Sequence, residues 1–177
     1  MRKVLYILGK LRERDIDWLV TAGGRTRADR GTVLIKEGAP VDVIYIVLEG
    51  HLEVTRSGRP LNTLGVGEIV GELSFLDSRP PAATVTATEG ALLLSIPRPA
   101  LQGKLDADEA FAARFYHALG VFLAARLRNT VSMLGYSTGA PEGPEPEPGD
   151  ELDEQLLDDL ALAGSRFDWI LQRLRGH

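Results

Sequence analysis

Between Arg25 and Pro97 glycine interrupts the chain at Gly31, Gly38, Gly50, Gly58, Gly65, Gly67, Gly71 and Gly90. A segment broken this often has no room for a long helix. What lies between the breaks is β-rich: GTVLIKEG, VDVIYIVLEG, HLEVTRSG, RPLNTLG, AATVTATE and ALLLSIP. Short strands at this spacing, closed by tight turns, predict a sandwich or roll over residues 25–97. The full length of 177 residues suffices for one well-packed domain and a short appendage.

Helices flank this β region. VLYILGKL and RDIDWLVTAG are two short helical stretches near the start, the second stopped by Gly23-Gly24. The opening MRKVLYILGKLRERD is basic and then apolar, but charge returns at Lys10 and no small-residue cleavage site follows. It reads as a helix of the mature protein, not a secretion signal. After Pro97-Arg98-Pro99, a long helix is predicted over 108–134. Phe111, Phe115, Leu119, Phe122, Leu123 and Leu127 recur there at three- and four-residue intervals. Asp108 and Glu109 suit its first turn, and Gly135 its end. Several alanines widen its apolar surface beyond one stripe, so one side can pack on the β region while another meets a second helix. A homodimer through helix 108–134 is the expectation.

Residues 135–150 lose all periodicity, and GAPEGPEPEPGD reads as an extended, acidic Pro/Glu-rich linker. In the tail, residues 151–177, one apolar stripe runs over Leu152, Leu156, Leu157, Leu160 and Leu162. A break at Gly164 leads to a second, with Phe167, Ile170, Leu171 and Leu174. Stripes this short do not fold alone and must dock, either on this chain or on a partner protein.

Charge and composition exclude several classes. Net charge is −5 overall, and the segment from Gly135 onward holds three arginines, no lysine and ten acidic residues. Such a segment repels nucleic-acid backbones and anionic headgroups, so neither DNA nor a membrane surface is expected as a partner. No run of eighteen apolar residues is present to span a bilayer. Cysteine is absent, which rules out disulfides and thiolate metal sites and fits a cytoplasmic address. His51, His117 and His177 stand far apart with no metal-ligand spacing around them, so no metal is expected. Ser74 and Ser78 lie outside any nucleophile-elbow pattern, and Glu72 has no partner carboxylate for acid–base work. The chain reads as a non-enzyme.

The stretch GELSFLDSRPPAATVTA, residues 71–87, resembles the phosphate-binding cassette of cyclic nucleotide-binding domains, the family of catabolite activator protein and of the regulatory subunits of cAMP-dependent protein kinase. In the kinase-type cassette, Gly-Glu-Leu-Ala is followed by Pro-Arg-Ala-Ala-Thr-Val. Gly71-Glu72-Leu73-Ser74 and Pro80-Pro81-Ala82-Ala83-Thr84-Val85 match in register, with Pro81 at the arginine. The likeness runs from about Leu11 to Leu134, so residues 1–134 are expected to form the domain. It implies a mainly β fold with flanking helices: a double-stranded β-helix, or jelly-roll-like β-roll, with N-terminal helices and a long C-terminal helix. No helix-turn-helix domain follows in the sequence.

The resemblance implies cAMP or cGMP as ligand, with Gly71, Glu72, Leu73, Arg79, Ala82, Ala83, Thr84 and Thr130 as candidate binding residues. A buried carboxylate at Glu72 suits the ribose 2′-hydroxyl, and backbone N–H groups at Gly71 and Ala82-Ala83 suit the phosphate. Arg126-Leu127 matches the family's Arg-Leu anchor and sets Thr130 where a hydroxyl meets the purine. Arg126 and Arg128 themselves read as dimer-rim or surface charges. Pro81 removes a planar fork of donors. Charge-assisted bonds contribute about 1.5–3 kcal/mol each, so its loss weakens phosphate binding by roughly ten- to hundredfold. It also leaves Glu72 uncompensated beside an anion, and Arg79 is the nearest replacement. Two functions follow: a cyclic nucleotide sensor signalling through its dimer or a partner protein, or an interaction module that keeps the fold without ligand, or fills the pocket with its own tail.

Overall fold

A computed structural model describes residues 9–137 and 154–175. Eight strands lie between Gly24 and Pro97: β1 (Gly24–Ala28), β2 (Val33–Ile35), β3 (Val43–Glu49), β4 (Leu52–Arg56), β5 (Arg59–Leu64), β6 (Ile69–Val70), β7 (Thr84–Ala87) and β8 (Ala91–Pro97). Among the described residues five complete helices accompany them: α1 (Glu13–Ala22), α2 (Glu72–Asp77), α3 (Arg98–Ala107), α4 (Glu109–Ser137) and α5 (Glu154–Arg175); most of the predicted helical stretch VLYILGKL lies outside those residues. The strands form two four-stranded antiparallel sheets, ordered β1-β8-β3-β6 and β2-β7-β4-β5. This is the expected β-roll.

Period-two alternation explains why the first sheet is the central wall. On β3, Ile44, Ile46 and Leu48 join the helices in one core, while Val47 points into the roll with Leu52, Leu64 and Val85. On β8, Leu92, Leu94 and Ile96 face the helices, and Ala91 and Leu93 face the roll interior. Both strands are therefore buried on two faces, which is why VIYIV and ALLL read as unbroken apolar runs. The second sheet covers only one face of the roll, and β5 is exposed from Arg59 to Thr63.

The helices pack on the outer face of that wall. Phe111, Phe115, Ala118, Leu119 and Phe122 of α4 are buried there with Ile16 and Leu19 of α1 and Leu101 and Leu105 of α3. Asp15 on α1 is 1% exposed and joins α1 to α4 through a two-point ion pair: Arg114 Nε and Nη2 donate to its carboxylate at 2.7 and 2.9 Å. The ten residues of α3 precede the predicted long helix and were not anticipated as an element. Asp108 is the joint between them. Its Oδ1 accepts from the Phe111 N–H at 2.9 Å and caps α4, while Lys104 Nζ of α3 donates to its Oδ2 at 2.9 Å.

Two boundaries differ from expectation. Helix α4 extends to Ser137, three residues into the expected linker, whose remaining residues 138–150 lie outside the described part. The tail shows no break at Gly164, because α5 runs unbroken from Glu154 to Arg175. One interior glycine costs a helix only about 1 kcal/mol relative to alanine, and docking offsets it. Ile170 is 1% exposed in the helical core, with Phe167, Trp169, Leu171 and Leu174 packed against it. Arg25 Nη1 donates to the Leu174 carbonyl at 2.7 Å and Arg166 Nη1 to the Gly9 carbonyl at 3.2 Å. The tail thus docks on this chain's own N-terminal side, along α1.

Candidate functional site

Gly71 opens the site. Its φ of +90° lies in the left-handed region, and a side chain there would place a Cβ 2.7 Å from the Val43 carbonyl oxygen. Only glycine lets the chain leave β6, turn this close to β3 and start α2 at once. The turn delivers Glu72 into the interior at 3% exposure. Leu73, next in line, is 57% exposed at the rim.

A cavity of about 290 Å³ opens here between the roll, α2 and α4. Its floor is apolar, formed by Ile35, Val54, Leu64, Val70 and Val85. Its rim comprises Gly71, Glu72, Leu73, Ser74, Asp77, Arg79 and the turn Pro80-Pro81-Ala82-Ala83, and Arg126 closes it from α4. Six of the sequence-predicted residues therefore meet around one cavity: Gly71, Glu72, Leu73, Arg79, Ala82 and Ala83. Thr84 and Thr130 stand outside its lining. The Thr84 hydroxyl accepts from the Glu37 N–H at 3.0 Å, tying β7 to the β2–β3 turn. Thr130 is exposed, and its hydroxyl donates to the Arg126 carbonyl at 3.0 Å.

The charge arrangement departs from the sequence expectation in two respects. Arg126 is not a surface charge: its side chain is 26% exposed, and Nη1 donates to Glu72 Oε1 at 2.8 Å. Glu72 is therefore compensated, by a helix residue 54 positions away. Arg79 is 83% exposed, with Nε 3.9 Å from Asp77 Oδ2, so its charge stays in solvent. Burial pushes the Glu72 carboxyl above its ordinary value near 4.5. The Arg126 charge and the backbone N–H groups of Glu72 and Leu73 pull the other way without reversing it, and the neighbouring Glu68 adds to the rise. A buried carboxylate with one guanidinium partner can accept a ligand hydroxyl; the pair together presents both a donor and an acceptor to the cavity.

Sequence reasoning missed Arg126 because a single arginine in a helix looks the same whether it faces solvent or a pocket. The Arg-Leu anchor pointed at the right turn of helix, but to Thr130 and not to Arg126 as the residue that reaches inward. Among the described residues no cluster of His, Asp and Glu with metal-binding geometry is present, and no helix is long and apolar enough to cross a membrane.

Two antiparallel sheets curled into a roll, a glycine-opened turn bearing a buried carboxylate, and a long helix closing the cavity define a β-roll ligand-binding domain. The family model for the cyclic nucleotide-binding domain matches residues 25–108, and this segment of the chain is a domain of that family. The chain is 32% identical over 93 residues to a cAMP-dependent protein kinase regulatory subunit of Yarrowia lipolytica, covering 52% of this chain and 25% of that protein. It is 34% identical over 95 residues to the cGMP-dependent protein kinase egl-4 of Caenorhabditis elegans, covering 54% of this chain and 12% of that one. It also resembles the crystal structure of the N-terminal domain of a transcriptional regulator from Streptomyces coelicolor A3(2), at 32% identity and a TM-score of 0.58, over 77% of this chain and 99% of that one. The chain spans a quarter or less of these two curated kinase relatives.

Proposed function

We propose that the chain is a regulatory sensor of a cyclic nucleotide, cAMP or cGMP, and not an enzyme. The observation that carries this reading is the buried Glu72 carboxylate at the wall of an open cavity, in the register of the family's cassette. At about 290 Å³ the cavity lies near the lower bound, ~300 Å³, of small-molecule sites. The ribose 2′-hydroxyl donates to Glu72, and the cyclic phosphate lies against the close-approaching backbone of Gly71 and Ala82-Ala83. Two relatives whose names carry cAMP- and cGMP-dependence support this ligand class.

The ligand meets cassette and α4 at once, so it favours whichever arrangement of α4 brings both to it. Output passes through a homodimer along helix 108–134, where Tyr116, Leu127 and Val131 are exposed, or through a protein partner at 151–177. Neither DNA nor a membrane is the target, and the protein works in the cytoplasm. Isothermal calorimetry of the full chain with cAMP and cGMP tests the reading. Saturable binding that disappears in Glu72→Ala is expected.

A second reading is favoured by Pro81 together with the Glu72–Arg126 pair, which already satisfies the site without a ligand. In it the domain is a ligand-independent interaction module. Its self-occupied form finds no support among the described residues, since α5 lies along α1 and contributes nothing to the cavity lining. Absence of binding to either nucleotide at millimolar concentration, with the chain folded, would overturn the sensor, and a partner protein captured through residues 150–177 would then favour the module.

A further inference from the structure

We infer that Arg126 replaces the missing cassette arginine, so that the cation for the ligand's phosphate is delivered by α4 and not by the cassette. This rests on the sensor reading above. Of the residues lining the cavity, two are cationic, Arg79 and Arg126. Arg79 is almost wholly in solvent, 3.9 Å from Asp77. Arg126 is three-quarters buried and already inside.

Guanidinium chemistry makes the substitution workable. A guanidinium carries five N–H donors in one plane, and the bond to Glu72 engages one nitrogen, Nη1. The remaining donors can serve a phosphate oxygen while Nη1 stays on Glu72, a fork bridging carboxylate and phosphate. A lysine at this position would supply a single point charge and could not span both acceptors. The arrangement also changes what the ligand links. A cassette arginine would bind the phosphate within one loop. Here the phosphate is held between the turn 80–83 and α4, so phosphate binding itself fixes the helix.

The test uses the full chain and calorimetry, or competition where binding is weak, with cAMP and 2′-deoxy-cAMP. Arg126→Gln is expected to weaken both ligands by about tenfold or more, the loss of a charge-assisted contact. If Arg126 served only to hold Glu72 for the ribose, 2′-deoxy-cAMP, which lacks that hydroxyl, would be little affected. Pro81→Arg restores a cassette cation, and it is expected to strengthen cAMP binding far more in the Arg126→Gln background than in the wild type. Arg126→Lys, which keeps a charge within reach of Glu72, covers the case in which Arg126→Gln fails to fold. It is expected to bind both ligands severalfold more weakly than the wild type. Wild-type affinity in Arg126→Gln or Arg126→Lys, or a larger loss in Arg79→Gln than in either, overturns the inference while leaving the sensor reading intact. Failure of the wild type to bind any cyclic nucleotide overturns the sensor reading, and the inference falls with it.

Discussion

Glu72 shows how one residue carries both the chemistry and the cost of the site. Burial holds its carboxyl above the ordinary value, so the folded state retains a proton on it at pH values where the unfolded chain has lost it. The sign follows: its contribution to stability is fully present below about pH 4.5 and declines as pH rises through the folded value. Relative to Glu72→Gln, the wild type is expected to lose stability between pH 4.5 and neutrality, as read by urea denaturation along a pH series. Parallel curves for the two proteins would refute this. Glu72 itself was legible from the Gly-Glu-Leu register, because the family's cassette is contiguous in sequence. Arg126 was not, since its role exists only once α4 has folded across the roll. Asp15 and Arg114, 99 residues apart, were invisible for the same reason.

At the level of elements, periodicity told most where a strand or helix has one apolar face or two. VIYIV and ALLL on β3 and β8 are apolar throughout, and α4 repeats its phenylalanines toward the core. It failed where pairing alone makes the element. β1, GRTRA, carries no apolar alternation and is a strand only because β8 lies beside it, and β6 is two residues long. Helix α3 hides behind Pro99 and Gly103 in a sequence, RPALQGKLDA, with two buried residues. The break read at Gly164 was an error of the same origin, because a local glycine signal gave way to the docking of Ile170. Nothing lies within 4 Å of where a Cβ would sit on Gly164. Gly164→Ala is therefore expected to stabilise the chain by about 0.5–1 kcal/mol, measured as a raised denaturation midpoint. The Asp15–Arg114 pair makes the opposite case. Burial alone would raise the Asp15 carboxyl, but the Arg114 hydrogen bonds, the Arg12 N–H and the Arg114 charge together hold it below its ordinary value. Its contribution is present above the ordinary value of 3.8 and lost as pH falls through the folded value. Asp15→Asn is expected to cost about 3 kcal/mol at neutral pH, because Arg114 is left half-partnered beside a nearly dry site.

Across the whole molecule, the tail is the segment whose place the sequence left most open, and its docking has consequences for how the domain holds together. Residues 1–134 resemble a self-sufficient domain, yet the outer face of α1 is completed by α5. Ile170 sits in the same core as Leu11, Ile16 and Leu19, and Arg173 Nη1 approaches Asp17 Oδ1 at 3.4 Å. Both partners of that exposed pair are half in water, so it contributes little, and the apolar contact dominates. A chain ending at Ser137 would leave the α1 face open to solvent and lose the Arg25 and Arg166 tethers with it. Its melting temperature is expected to fall by several degrees or more, and Ile170→Ala in the full chain is expected to cost about 2–4 kcal/mol. No residue of α1 or α5 lines the cavity, so cyclic nucleotide affinity is expected to change far less than stability in both proteins. Calorimetry and thermal melts on the same preparations separate the two effects. If removing the tail leaves the melt unchanged, α5 is not part of this core. Its apolar stripe is then free for the partner protein that the sequence left as the other possible dock.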